Sequence, residues 1–236
     1  MNPEVVSVYP IIDLAHLGTD SLAETARRIG AVLRSGATIV QLREKQDRFA
    51  AMADLVATIR PWLEEAGVPL IINDRLDLAL ALGASGVHLG QHDMPVGEAR
   101  SIAAAHGRSD LWLGVSVTSH GQASRAIADG ASYLSASPVF GTPTKTDIDP
   151  PVGLDGLRRL RQAFPHVPLV AIGGIKPANA AEVLAAGADG LAFVSPLAVD
   201  PESTTRALAD VVRDVRAHRC HASERPRGAQ RQDHDG

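Results

Sequence analysis

The chain holds one cysteine, Cys220, near its end. A lone thiol excludes an intramolecular disulfide framework and any structural zinc site built on cysteines. Aromatic residues are also scarce, at 3% against 45% hydrophobic residues in all. The core must therefore be assembled from Ala, Val, Leu and Ile, as it is where helices pack on a parallel sheet. No apolar run approaches the ~18 residues of a membrane span. The opening MNPEVVSVYPIID has no basic segment ahead of an apolar one, so the expectation is a soluble, unexported, cytoplasmic protein with no membrane partner. Basic residues do not outnumber acidic ones, and the net charge of -4 argues against an extended nucleic-acid surface. A local basic pocket stays open. Absent too is a G-x-G-x-x-G after the first apolar run, the usual mark of a dinucleotide-binding open sheet.

What is present is repetition. Val5 to Ile12 is a β-branched run ending at Asp13, and Ser21 can cap a helix through about Arg34 with Leu22, Ala26, Ile29 and Leu33 on one face. Thr38 to Leu42 and a helix over about 48–65 form a second unit. Strands at about 69–72, 86–89, 111–115, 132–136, 168–172 and 190–194 each precede a helical segment, at about 75–82, 95–106, 119–129, 153–164, 177–186 and 202–217. Gly-Ala or Gly-Val pairs at 36–37, 67–68, 83–84, 130–131 and 187–188 stand between a helix and the next strand, where glycine can take the left-handed conformation that ends a helix. Eight alternating units predict a single (β/α)8 TIM barrel. No linker interrupts residues 5–217, so the barrel is placed at 1–218. The polar segment 219–236 has no apolar periodicity and is expected to form a disordered tail.

In such a barrel, chemistry gathers where strands end. Asp74 and Asp93 each lie just beyond the end of a strand, and in a parallel sheet those ends lie side by side. Two meeting carboxylates repel unless a cation or proton lies between them, and magnesium suits oxygen ligands. Helix capping is the competing explanation, since Asp favours that position. Alternation along Ile39-Val40-Gln41-Leu42-Arg43 turns Gln41 and Arg43 into the mouth. Arg43 with Lys45 fits a phosphate, or Arg43 pairs with Glu44 or a barrel carboxylate. The long loop Ser137–Val152 carries Thr142-Pro143-Thr144-Lys145, a set of anion donors or an ordinary turn. Gly173-Gly174 after the seventh strand and Ser195 after the eighth stand where such barrels bind phosphate, unless they form simple turns. Ser116 ends the fifth strand and reads as a hydrogen-bond donor, having no evident base. Two anion sites and a carboxylate pair suggest transfer between two phosphorylated small molecules.

Seven ordered segments now carry a resemblance: VQLREK (40–45), INDRLDLAL (72–80), GVHLGQHDMP (86–95), LGVSVTS (113–119), SPVFGTPTK (137–145), VAIGGI (170–175) and FVSPL (193–197). Together they resemble the thiamine-phosphate synthase family over nearly all of residues 5–217. The resemblance implies a transferase of thiamine biosynthesis. It would join a hydroxymethylpyrimidine diphosphate to a thiazole phosphate, or its carboxylated precursor, and release pyrophosphate through a dissociative, carbocation-like substitution. It implies that Gln41, Arg43, Lys45, Asn73, Ser116 and Lys145 bind the pyrimidine diphosphate, with Arg43, Lys145 and Ser116 as the catalytic residues, the first two stabilising the departing pyrophosphate. Asp74 and Asp93 would hold Mg2+. Thr142, Thr144, Gly174, Val194 and Ser195 would take the thiazole phosphate, and self-association into a homo-oligomer is compatible with the family. The thiazole tautomerase branch shares much of the pattern but usually departs at the second aspartate and the T-P-T-K loop, both kept here. Ser135-Ala136-Ser137-Pro138 stands where the family often has G-x-G-P, and Pro196 where it often has a small residue. A non-catalytic sensor of phosphorylated ligands is the alternative from another class.

Overall fold

In the computed structural model, which describes residues 1–17, 21–46, 48–141 and 150–223, the eight strand–helix units are present in order. The strands are β1 (Val8–Asp13), β2 (Val40–Arg43), β3 (Leu70–Asn73), β4 (Gly86–Leu89), β5 (Trp112–Val117), β6 (Tyr133–Ala136), β7 (Leu169–Ile172) and β8 (Gly190–Phe193). Each pairs in parallel with the next, and β8 returns to β1 to close the barrel. The helices are α1 (Leu22–Arg34), α2 (Phe49–Ala66), α3 (Leu76–Ala81), α4 (Val96–Ala105), α5 (His120–Ala128), α6 (Gly153–Ala163), α7 (Pro177–Ala185) and α8 (Pro201–Ser223).

Local chemistry sets these boundaries. The Ser21 hydroxyl accepts the Glu24 N–H at 3.3 Å and caps α1, satisfying one of the donors a helix start leaves open. Gly67 ends α2 at φ 63°, its N–H donating back to Glu64 O at 3.1 Å. Positive φ recurs at Gly36, Gly83, Gly130 and Gly187, as the Gly-Ala punctuation predicts. Two boundaries differ from the sequence reading. The first strand starts at Val8, because Pro3–Val6 form a 3-10 turn capped by Asn2 Oδ1, which accepts the Glu4 N–H at 2.9 Å. That turn drives Val6 into the bottom of the barrel, and Gly190 lies so close to Val6 O that a Cβ there would collide with it. At the other end, α8 runs five residues past His218. Arg219 donates to Leu184 O in α7 and Arg216 to Asp189 O at 3.2 Å, so Arg219, expected in the tail, is tied down within the helix. Residues 224–236 lie outside the described residues.

Strand alternation sorts the core into two layers. Val40, Leu42, Ile72, Val87 and Leu113 face outward and pack with Ile29, Leu55, Ile59 and Leu157 of the helices. Ile39, Ile71, Val170, Ala192, Tyr9 and Tyr133 face inward and fill the barrel. Full burial of each large aliphatic side chain contributes about 1.5–3 kcal/mol, so the helix-facing layer carries most of the stability. The inner layer leaves its upper part open.

Candidate active site

The inward parity continues upward into polar residues: Asp13, Gln41, Arg43, Asn73, His88, Ser116, Ser135 and Ser137 line a cavity of about 560 Å³ at the C-terminal ends of the strands. That size fits a small-molecule site. Its far side is formed by Phe140, Gly173, Gly174, Lys176, Asn179, Val194 and Ser195. Seven of the sequence-predicted residues from the strands and their ends, Gln41, Arg43, Asn73, Ser116, Gly174, Val194 and Ser195, thus meet in one place.

Register decides the polar floor. Asp13 sits beside Arg43 in the β1–β2 pairing, and the two form an ion pair, with Asp13 only 5% exposed. The acidic partner left open in the sequence reading is therefore a barrel carboxylate. Glu44 pairs instead with Arg48 at 2.8 Å. Arg43 keeps an exposed side toward the cavity. Below it, Gln41 Nε2 donates to Tyr9 Oη at 2.8 Å, and Tyr9 Oη lies 2.7 Å from Tyr133 Oη. Tyr133 Oη is 3.1 Å from His88 Nδ1, and His88 Nε2 is 3.0 Å from Ser116 Oγ. Both phenols are fully buried, which pushes both well above the ordinary tyrosine pKa. They stay neutral hydroxyls. Gly114 makes the junction: it is in register between His88 and Tyr133, and a Cβ there would occupy the phenol's place and lie 2.5 Å from His88 Nδ1.

Asp74 and Asp93 meet at the rim, beside Asn73. Neither caps a helix, for the N-cap positions of α3 and α4 are Arg75 and Pro95, without a side-chain cap bond. Asp74 holds the left-handed conformation at φ 62°, a strained state for a non-glycine residue, with its N–H donating to His88 O at 2.8 Å. Its carboxylate pairs with Lys45. Asp93 Oδ2 accepts the Gly90 N–H at 2.6 Å. Partial burial, reinforced by the neighbouring Asp74 carboxyl, raises the Asp93 pKa above its ordinary value. The two carboxylates are thus held together at an electrostatic cost that Lys45 offsets only in part. Among the described residues no third His, Cys, Asp or Glu joins them. Oxygen donors alone, with room for ligands from elsewhere, suit a hard divalent cation that keeps water or phosphate oxygens in its shell.

The opposite end of the cavity is built on backbone. Gly173 and Gly174 both have positive φ, 98° and 67°, and a Cβ on Gly174 would lie 2.8 Å from Phe140 Cβ. Asn179 Nδ2 donates to Gly174 O at 2.9 Å, while its Oδ1 accepts the Lys176 N–H at 2.8 Å, fixing the loop to the start of α7. Helix N-termini and glycine loops of this kind favour anions. Thr142, Thr144 and Lys145 lie outside the described residues.

The family model described as thiamine monophosphate synthase matches residues 8–197. This chain belongs to that family. A thiamine-phosphate synthase of Roseiflexus castenholzii is 47% identical over 206 residues, covering 86% of this chain and 87% of the relative. One from Chloroflexus aurantiacus is 46% identical over 191 residues, covering 79% and 86%. A solved thiamine phosphate pyrophosphorylase from Pyrococcus furiosus superposes with a TM-score of 0.78 at 33% identity, over 90% of this chain and 98% of that one. Membership in the thiamine monophosphate synthase family agrees with the resemblance carried by the seven motifs. Sequence reasoning did not single out Asp13, His88, Tyr9, Tyr133 or Lys176. Strand parity could have found the first four, since each is an inward position in its strand. Among the described residues no helix is long and apolar enough to cross a membrane.

Proposed function

We propose that this chain condenses a hydroxymethylpyrimidine diphosphate with a thiazole phosphate to give thiamine phosphate and pyrophosphate. The reading is carried by one observation: Asp74 and Asp93, from neighbouring strand ends, are brought together beside the cavity without capping any helix. Family membership supports it. The pair fits magnesium, which when bound neutralises charge on the diphosphate oxygens.

The residues divide the work by position. Arg43, Lys45 and Lys145 bring positive charge to the diphosphate, and Gln41 and Asn73 orient the pyrimidine. The bond between the pyrimidine methylene and the diphosphate oxygen breaks, and its electron pair leaves with pyrophosphate. The thiazole nitrogen then donates its lone pair to the methylene carbon. Stabilising the leaving group and holding the nitrogen close supply most of the rate. Ser116 donates a hydrogen bond to the pyrimidine substrate. Gly174, Val194 and Ser195, with Thr142 and Thr144, take the thiazole phosphate at the other end, which sets its nitrogen toward the centre. The test is turnover of the two substrates with and without magnesium, with Asp93→Ala alongside. Product that disappears without the ion and in the variant supports the assignment, and full activity in Asp93→Ala overturns the metal role.

A further inference from the structure

The chain has two tyrosines, and both are spent on one spot inside the barrel. Neither is needed to fill space as tyrosine, since a phenylalanine ring would bury the same apolar surface. What the hydroxyls add is order. Gln41 gives an amide N–H to Tyr9 Oη, so the Tyr9 hydrogen is left to point at Tyr133. The Tyr133 hydrogen is then left for His88 Nδ1. With Nδ1 accepting, the imidazole carries its proton on Nε2 and donates it to Ser116 Oγ. Ser116 has one hydrogen of its own, and with its oxygen already accepting, that hydrogen is free for the cavity it lines. The opposite order requires the Gln41 amide to turn over, because otherwise Tyr9 faces an N–H with its own O–H.

We infer that Tyr9 and Tyr133 are positioning residues: the chain Gln41–Tyr9–Tyr133–His88 fixes the Nε2–H tautomer of His88 and thereby makes Ser116 a hydrogen-bond donor to substrate. The receiving atom is a lone-pair acceptor, a ring nitrogen or an ester oxygen; that part alone rests on the function proposed above. Gly114 is part of the device, since any side chain there would occupy the place of the Tyr133 hydroxyl. Burial supports it, because a phenol at 0% exposure cannot borrow a water as an alternative partner.

The deciding experiment has two arms on the full-length protein. In the first, 15N-labelled histidine is read by long-range 15N–1H correlation without substrate, with His88→Gln identifying the His88 signals. The wild type is expected to show Nε2–H only. Tyr133→Phe and Tyr9→Phe are each expected to give a mixture of tautomers, since the first removes the donor to Nδ1 and the second removes the O–H that obliges Tyr133 to donate to it. An Nδ1–H wild type, or an unchanged tautomer in either tyrosine variant, overturns the inference whatever the enzyme's substrate. In the second arm, Tyr133→Phe and Ser116→Ala are each expected to lower kcat by about tenfold, the scale of one hydrogen bond. Acting through the same hydrogen, they should lower it no further when combined. Losses that multiply would mean that Tyr133 acts only on the fold.

Discussion

Arg43 has two partners in this account, Asp13 within the protein and a diphosphate in the cavity, and the two can be separated. Arg43→Met keeps the aliphatic stem and removes the charge, leaving the Asp13 carboxylate buried without its partner. Breaking a buried pair in this way costs about 3–5 kcal/mol. Here the Arg43 side chain is 23% exposed and that of Asp13 5%, so water reaches one member of the pair. Asp13 also keeps the Ala15 N–H, at 3.2 Å. The expected loss is therefore about 2–3 kcal/mol. In a chain of this size each kcal/mol moves Tm by about 2–4 °C, so Tm should fall by about 4–12 °C. Asp13→Asn combined with Arg43→Met removes the orphaned charge and should recover stability to within about 1 kcal/mol of the wild type. Activity should not return with it. Urea unfolding and a turnover assay on the wild type and the two variants measure both. Restored turnover in the double variant would refute Arg43 as a substrate cation, and an Arg43→Met protein as stable as the wild type would refute the structural half.

Asp93→Asn should raise the stability of the metal-free protein at neutral pH and abolish any rise in Tm on adding magnesium. The sign follows from the raised pKa: the Asp93 contribution is present below the ordinary carboxylate range and lost as pH rises through the raised value. Metal-free thermal scans across pH, wild type against variant, check it. Gly174→Ala places a side chain in the left-handed region, at a cost of about 1–2 kcal/mol, and crowds Phe140; KM for the thiazole phosphate should rise while KM for the pyrimidine diphosphate changes little. Lys145→Gln should lower kcat by about 10²-fold or more if its charge stabilises the departing diphosphate, read in the same assay.

Much of this was legible in the chain because the barrel uses short-range rules. The glycines before five of the strands and the β-branched runs located the units, and parity along Ile39–Arg43 correctly turned Gln41 and Arg43 inward. The meeting of Asp74 with Asp93 followed from adjacency of strand ends in a parallel sheet. What escaped was long-range: Asp13 is 30 residues from Arg43, and Tyr9 is 124 from Tyr133. Their partnership depends on register around a closed barrel, which no local pattern encodes. The scarcity of aromatics was a usable clue, since an interior built from aliphatic residues has a reason for each tyrosine it keeps. The end of α8 escaped for another reason. Arg219 reads as a polar tail residue, yet its guanidinium bond to the Leu184 carbonyl holds it against α7 without any apolar stripe to announce it.

The most direct measurement is 31P NMR of the purified protein with both phosphorylated substrates and magnesium. The diphosphate ester signals are expected to decay while pyrophosphate and thiamine phosphate grow in equal amounts. Pyrophosphate without thiamine phosphate would indicate a hydrolase. Binding of both ligands without any change would contradict the transferase and leave a sensor.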